Sequence, residues 1–417
     1  MAAPLSVLLV TDSFPPGSGG SGWSTFELAR QLQHRGHRVS VVHVVPGDTT
    51  HIESAHYDTI AVTRYRIRVP NVPALRNVLK NERLWSHLTR YLVTRCSTEP
   101  VDLLHAQHTM TTVPTVRAGK QLGIPSVATV RDYWPVCYWS DLIIDATQSS
   151  LCPSCTVAHM RTCTRGRTGS LGPLSWALIP YMRRNLATKR RTLAQADAVI
   201  GVSSVITADL IARAPELDPA RVSTIPNPVN MDDLVVTERP SQEPFILYAG
   251  KLAINKGVQF LLPALDAAGI TSPLVVVGDG PLRETLAADA VRRGRTVQWL
   301  GWRDRTEVLD LMRRAQLLAF PSYGPESLSR VLIEASALGV PIAAMNTGGT
   351  RDILQHEVTG LVSDTPEGFA RDLARLAGDA ALRGALGAAA ARHARDRFEA
   401  SQVAARVEAV YHQVLST

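Results

Sequence analysis

Lysine is nearly missing from this chain of 417 residues. Of its 44 basic residues only five are lysines, at 80, 120, 189, 251 and 256, so a lysine marks a place where a compact, flexible point charge is wanted instead of a guanidinium. No apolar run approaches the roughly 18 residues of a membrane span, and the opening residues lack a basic stretch followed by an apolar one. These absences predict a cytoplasmic protein whose membrane contact is at most peripheral, at the inner face. No Asp-x-Asp occurs, so that close-spaced pair of carboxylates for a divalent metal is missing. What is present, 45% hydrophobic and 19% charged residues, excludes wholesale disorder, and the length suits two domains of roughly 100–200 residues each.

Charge is unevenly spread. Residues 1–210 hold 22 Lys+Arg against 13 Asp+Glu, a balance of +9, and the rest hold 22 against 24, or −2. The first half thus faces either an anionic partner, such as a phosphorylated acceptor, a membrane or nucleic acid, or simply solvent. Its LSVLLV (5–10) reads as a buried parallel strand, followed by the loop SFPPGSGGSG, a helix to Gly36 and the strand RVSVVHVV: one βαβ unit. The alternation resumes with VDLLHA, SVATV and AVIGVS. Residues 136–195 interrupt it with four cysteines and a basic helical stretch. After a hinge at TIPNPVNMD a second series begins with FILYAG, PLVVVGDGP, TVQWLG and LLAFPS, then a helix over 327–338, PIAAM and GLVSD. Two doubly wound α/β domains result.

Chemistry concentrates in the second series. Gly250-Lys251 closes a strand, Asn255-Lys256-Gly257 opens a helix and Gly278-Asp279-Gly280-Pro281 closes the next strand. Ligands of such sheets bind at strand carboxyl ends, where two lysines can clamp a diphosphate; the alternative is a pair of solvated turn lysines. Glu326 and Glu334 lie eight positions apart, which on a helix is about 12 Å and within about 80° of one direction. They can grip two parts of one elongated ligand, Glu326 beside the amides of Ser327 and Leu328, or merely balance a helix dipole and face solvent.

The order GKL, NKG, GDGP, WLG and E-S-x-x-x-V-x-x-E-A, with HRGHRV, VDLLHAQH, VSS and IPNPV before it, strongly resembles glycosyltransferase family 4, retaining enzymes of the GT-B fold. The resemblance implies two Rossmann-like domains facing a cleft: an acceptor domain over 1–225, rejoined by a helix over about 400–417, and a nucleotide-sugar domain over 226–399. It implies transfer of a hexosyl unit from a nucleoside diphosphate sugar, UDP-sugar first and GDP-sugar second, to a hydroxyl acceptor in envelope glycan, glycolipid or natural-product synthesis. No divalent metal takes part. Lys251 and Lys256 would neutralise the leaving diphosphate between Gly250 and Gly280. Glu334 would hold the ribose; Glu326, with Ser327 and Leu328, would orient the sugar; Gly19 and Gly20 would close over phosphate and acceptor. The family's His-Asp is Arg131-Asp132 here, its hinge Asn-Gly is Asn227-Pro228, and its Glu after Gly-Gly is Asp352. Arg131 cannot shuttle a proton at neutral pH and offers a fixed charge. A nucleotide-sugar epimerase of the same fold and a basic nucleic-acid-binding or scaffold protein are the alternatives. The Glu pair argues against the first, and the lack of aromatics interleaved on a basic face, with no nucleic acid expected as partner, against the second.

Three features lie outside this pattern. Cys137, Cys152, Cys155 and Cys163, with one C-x2-C, suit a structural zinc site, with an iron–sulfur cluster, disulfides or unrelated thiols as alternatives. Cys96 reads as a core residue. His105 and His108 end a strand, facing either the acceptor or backbone partners. Residues 170–193 combine Trp, Leu, Ile and Tyr with five cations, either lying on an anionic membrane that carries a lipid-linked acceptor or packing as a helix with a basic outer face.

Overall fold

The computed structural model describes residues 3–68, 82–145, 150–168, 176–232, 234–235 and 244–416. The chain divides into two compact units, one of Met1–Ser140, Pro180–Val229 and Ala400–Thr417, the other of Asp141–Ile179 and Asn230–Glu399. The stretch expected as an insertion is therefore split, 141–179 grouping with the second unit and 180–195 with the first. Its strands, in chain order, are β1 Ser6–Thr11, β2 Arg38–Gly47, β3 His51–Tyr57, β4 Ile60–Arg68, β5 Leu103–Ala106, β6 Ser126–Val130, β7 Ile143–Asp145, β8 Ser150–Leu151, β9 Ala198–Gly201, β10 Val222–Thr224, β11 Ile246–Ala249, β12 Leu274–Val277, β13 Val297–Gly301, β14 Leu317–Phe320, β15 Ile342–Met345 and β16 Leu361–Ser363.

The first unit holds one sheet in the order β10-β9-β6-β5-β1-β2-β4-β3, parallel except for the β3/β4 pair. A parallel sheet is covered on both faces, which is why Val7 through Val10 are all apolar and buried. Alternation along β1 sorts them. Val7 and Leu9 pack with Phe26, Leu28 and Leu32 of the helix Gly20–His34 and with Val403, Val407 and Tyr411 of the helix Ala400–Leu415. Leu8 and Val10 face the other way, onto Leu84, Leu88 and Leu92 of the helix Leu84–Thr98. The C-terminal helix is tied down further by Glu408, which pairs with Arg35 and, at 2.9 Å, with His37.

The second unit has a six-stranded, all-parallel sheet in the order β13-β12-β11-β14-β15-β16. Ile246, Val276 and Leu317 pack against Leu261 and Leu265 of the helix Val258–Ala267 and Phe369 and Leu373 of the helix Pro366–Gly378. In both sheets the strand order reverses at the first strand, beside β14 for β11 and beside β5 for β1. Connections leave to opposite faces at such a point, so a crevice opens at the carboxyl ends of the strands.

One helix differs from the sequence reading. The segment expected to be helical over 327–338 is helical only over Arg330–Ala337, because Ser329 has extended backbone (φ −74°, ψ 115°) and the chain before it is a loop. That loop is held by the carbonyl of Glu326, which accepts from the Gly349 amide at 2.7 Å.

Candidate active site

In the second unit the loops leaving β11, β12, β14 and β15 are drawn together by glycine. A Cβ at Gly257 would lie 1.8 Å from the Pro321 carbonyl oxygen, at Gly278 2.0 Å from that of Gly250, at Gly280 2.4 Å from that of Leu252, and at Gly348 1.9 Å from that of Glu326. Gly257 and Gly348 also have left-handed backbone, φ 64° and 48°. Only bare backbone permits this approach, and the result is a cradle of main-chain groups at the switch between β11 and β14.

The Lys256 ammonium in this cradle forms an ion pair with Glu326 Oε1. The same oxygen accepts from Ser322 Oγ at 2.7 Å, and the Ser322 hydroxyl also reaches the Asn255 carbonyl at 3.3 Å. Gly324 donates to Asn255 at 2.9 Å, joining the β11 and β14 loops directly. The Lys251 side chain is exposed, while Tyr248 Oη donates to its carbonyl at 3.0 Å. Among the described residues the amides of Ser327 and Leu328 donate to no acceptor, so they remain open donors next to Glu326. Glu334 departs from a solvated helix acid. It is 6% exposed, and its Oε1 accepts from Arg305 at 2.9 Å and from Arg330, one turn earlier on its own helix, at 3.0 Å. Asp352 is occupied elsewhere, 3.0 Å from Arg397.

The first unit gathers side chains instead. Arg131, following β6, is buried; its Nε donates to Asn227 Oδ1 at 2.9 Å and its guanidinium also to the carbonyl and Oε1 of Gln107. Burial pulls this guanidinium down to about 9, which leaves it charged at neutral pH. His108 Nδ1 lies 2.7 Å from Asp12 Oδ1. Desolvation favours the neutral imidazole, but the carboxylates of Asp12 and Asp132 outweigh it and hold His108 above its ordinary value. Burial pushes the Asp132 carboxyl up, against the pull of His108 and of the Trp134 amide that donates to it at 2.8 Å. Gly19 precedes the helix Gly20–His34 as its N-terminal cap, with open space where a side chain would be.

Several expectations are corrected. His105 does not face an acceptor. It is 0% exposed, with Nδ1 2.6 Å from the Tyr411 hydroxyl and Nε2 2.7 Å from the Thr129 hydroxyl, and burial keeps it neutral. The zinc reading gains no support from the structure. Among the described residues no three of Cys, His, Asp and Glu converge as a metal site, and no disulfide joins any of the five cysteines. Cys152 Sγ donates to the Ser154 carbonyl at 3.1 Å and Cys163 Sγ to that of Met160 at 3.4 Å. Cys96 is a core residue, as expected. Of the basic stretch 170–193, residues 170–175 lie outside the described residues. The helix Ile179–Leu193 buries Met182, Leu186 and Leu193 and turns Arg183, Arg184 and Arg191 outward, so its apolar stripe is already covered. No described helix is long and apolar enough to cross a membrane.

Asp12, Gln107, Asn227, Arg305 and Arg330 were not singled out as site residues from sequence. Asp12 and Gln107 follow the two strands of the switch point and could have been found from topology. Arg330 carried the i, i+4 spacing to Glu334. Arg305 carried no signal, being 29 residues away in sequence.

Two doubly wound parallel sheets, one with a glycine-built cradle at its switch point, define the class: proteins of the GT-B fold. The family model "Glycosyltransferase Family 4" matches residues 18–233 and "Glycosyl transferases group 1" residues 232–393, and the chain belongs to glycosyltransferase family 4. It is 30% identical over 284 residues, 62% of this chain and 66% of the relative, to a D-inositol 3-phosphate glycosyltransferase of Xylanimonas cellulosilytica. It is 36% identical over 157 residues, 36% of each chain, to glycogen synthase of Mycobacterium tuberculosis. The fold is shared with Anabaena Alr3699/HepE in complex with UDP (TM-score 0.66, 19% identity, 98% of this chain and 100% of that one). It is shared too with sucrose-phosphate synthase of Thermosynechococcus elongatus (TM-score 0.71, 18% identity, 99% of each).

Proposed function

We propose that this glycosyltransferase moves a hexosyl unit from a nucleoside diphosphate sugar to a hydroxyl acceptor, with retention of configuration and without a catalytic metal. The observation that carries the reading is the Lys256–Glu326 pair set in the glycine cradle at the β11/β14 switch point. Lys251 and Lys256 supply compact positive charge for a diphosphate, and the cradle brings backbone close enough to donate to it. Glu326, fixed by Ser322 and by the Gly349 amide on its carbonyl, orients the sugar together with the Ser327 and Leu328 amides. Glu334 keeps its second carboxylate oxygen for a ribose hydroxyl while Oε1 serves the two arginines. Gly250 and Gly280 line the phosphates, and Gly19 and Gly20 leave room for acceptor and phosphate. In the transfer step the bond from C1 to the diphosphate oxygen breaks, the acceptor oxygen bonds to C1 on the same face, and the acceptor proton passes to the leaving diphosphate. The residues contribute position and charge rather than a nucleophile. Arg131 and Asp132 shape the acceptor side, where a fixed cation replaces the family's histidine.

UDP is the favoured nucleotide and GDP the next, because the fold is shared with proteins solved with UDP and UDP-glucose. A phosphorylated or lipid-linked acceptor, in envelope glycan, glycolipid or natural-product synthesis, is the favoured partner. The first unit is basic, and the relatives include enzymes named for inositol 3-phosphate and for 2-deoxystreptamine. The site of action is the cytoplasm or the inner face of its membrane. The test is donor binding and hydrolysis across UDP-, GDP- and ADP-sugars. One matching donor should raise the melting temperature and be hydrolysed slowly, with EDTA without effect. Glu326→Gln and Lys256→Met should each lower that rate by about 100-fold or more. A protein neither stabilised by nor active on any nucleotide sugar would refute the reading.

A further inference from the structure

The inward stripe of the helix Ile179–Leu193 is not purely apolar. Asn185 and Lys189, one turn apart, share it with Met182, Leu186 and Leu193. Lys189 is 4% exposed, yet among the described residues its ammonium makes no hydrogen bond and no ion pair. The Tyr138 ring is 5.9 Å away, and the charge of Asp132 acts on it from beyond contact. Asn185 is 0% exposed, and among the described residues its Oδ1 accepts no hydrogen bond. On the loop after β5, Gln107 spends its oxygens on Arg131 and leaves Nε2 buried without an acceptor. Burying a cation unpaired is unfavourable, and an apolar residue of the same length would fill the space at no such cost. Burial pulls the Lys189 ammonium down to about 8, so it is still mostly charged at neutral pH. A buried cation, an open amide oxygen and an open amide donor, on elements flanking Arg131 and Asp132, have the makings of a recognition site for a polar anion.

We propose that Lys189 is the recognition cation for an oxyanion, phosphate or carboxylate, carried by the acceptor, with Asn185 Oδ1 receiving a hydroxyl of the same molecule. The proposal rests on the reading of the first unit as the acceptor side, and it names what that side selects. Arg131 is committed to Gln107 and Asn227 and acts as a fixed background charge; Lys189 is the cation still to be satisfied. A purely structural Lys189 predicts the opposite outcome, since methionine in its place would then leave ligand binding untouched.

The experiment titrates UDP-saturated protein with inorganic phosphate and, separately, with acetate, following heat of binding. Saturation with UDP keeps both anions off Lys251 and Lys256. Wild type should bind at least one of them, phosphate above acetate if the acceptor group is a phosphate. Lys189→Met should raise that dissociation constant by about tenfold or more, and Lys189→Arg by less, with UDP affinity within about twofold of wild type in both. Asn185→Ala should leave anion binding near wild type, as its role is toward a hydroxyl. The proposal falls if UDP-saturated wild type binds neither anion or if Lys189→Met binds them as wild type does. It falls also if Lys189→Met loses UDP in equal measure, which would assign the cation to the donor. If wild type itself fails to bind UDP, the donor reading fails separately, and the same titrations on UDP-free protein, compared between wild type and Lys189→Met, decide the role of Lys189.

Discussion

At the switch point of the second unit the cations stand toward solvent. Lys251 is exposed, and the Lys256 side chain is 30% exposed and paired with Glu326. In the first unit Arg131, at the end of β6, and Lys189, on the helix Ile179–Leu193, are buried, and Arg131 is held by Gln107 and Asn227. On the proposed reading the difference follows from what each place has to do. A diphosphate that must arrive and leave is served by hydrated lysines and backbone amides, which regain water when it departs. Desolvated side-chain charges, in contrast, act strongly over short distances and cost much to leave unmatched, so they suit discrimination between ligands.

The sharpest way to break this comparison is to remove one cation from each unit and measure stability by urea unfolding. Arg131→Met leaves the Gln107 and Asn227 oxygens buried without their donor and should cost about 3 kcal/mol. Lys256→Met removes a partly solvated pair and should cost about 1 kcal/mol or less. Equal losses would mean that the two sites are not built differently.

Glycine gives the next largest contrast. Gly257→Ala puts a methyl into the Pro321 carbonyl at a left-handed φ and should destabilise by about 2 kcal/mol while weakening donor binding. Gly19→Ala meets open space at an ordinary φ of −78° and should change stability by about 0.5 kcal/mol or less, its effect appearing only once ligand is bound. If Gly257→Ala were as well tolerated as Gly19→Ala in thermal unfolding, the close approach of the β11 and β14 loops would be dispensable.

The same contrast explains how far the sequence could be read. Strand-ending glycines and the two lysines near 251 are local, and a backbone cradle needs glycine at fixed places in the chain, so the second site was visible as a string of motifs. The alternation of apolar strands and helices likewise showed both sheets, since parallel strands are apolar throughout. The first site is assembled across distance: Arg131 meets Asn227, 96 residues on, and His108 meets Asp12. No spacing rule links such pairs. His105 misled because the end of a short strand can point into the core as readily as out of it, and only the Tyr411 hydroxyl, from a helix about 300 residues later, settles which. For the four cysteines one C-x2-C is a pattern of sequence, whereas zinc needs four thiolates converging on one point, and among the described residues no such cluster is seen.

The smallest predicted effect concerns protonation in the first unit. His108 is held above its ordinary value by Asp12, so the folded state prefers the imidazolium. Stability from this preference is fully present below the unfolded value near 6.5 and is lost as pH rises through the higher folded value. Asp12→Asn removes the charge responsible. Other contacts of Asp12, to the Met110 amide and toward Arg131, do not involve His108 and leave an offset that does not follow its titration. The stability gap between wild type and Asp12→Asn should therefore be widest near pH 6 and shrink as pH rises toward 9. Denaturant midpoints across that range measure it. A gap that stays flat would show that the Asp12 carboxylate does not favour the charged form of His108.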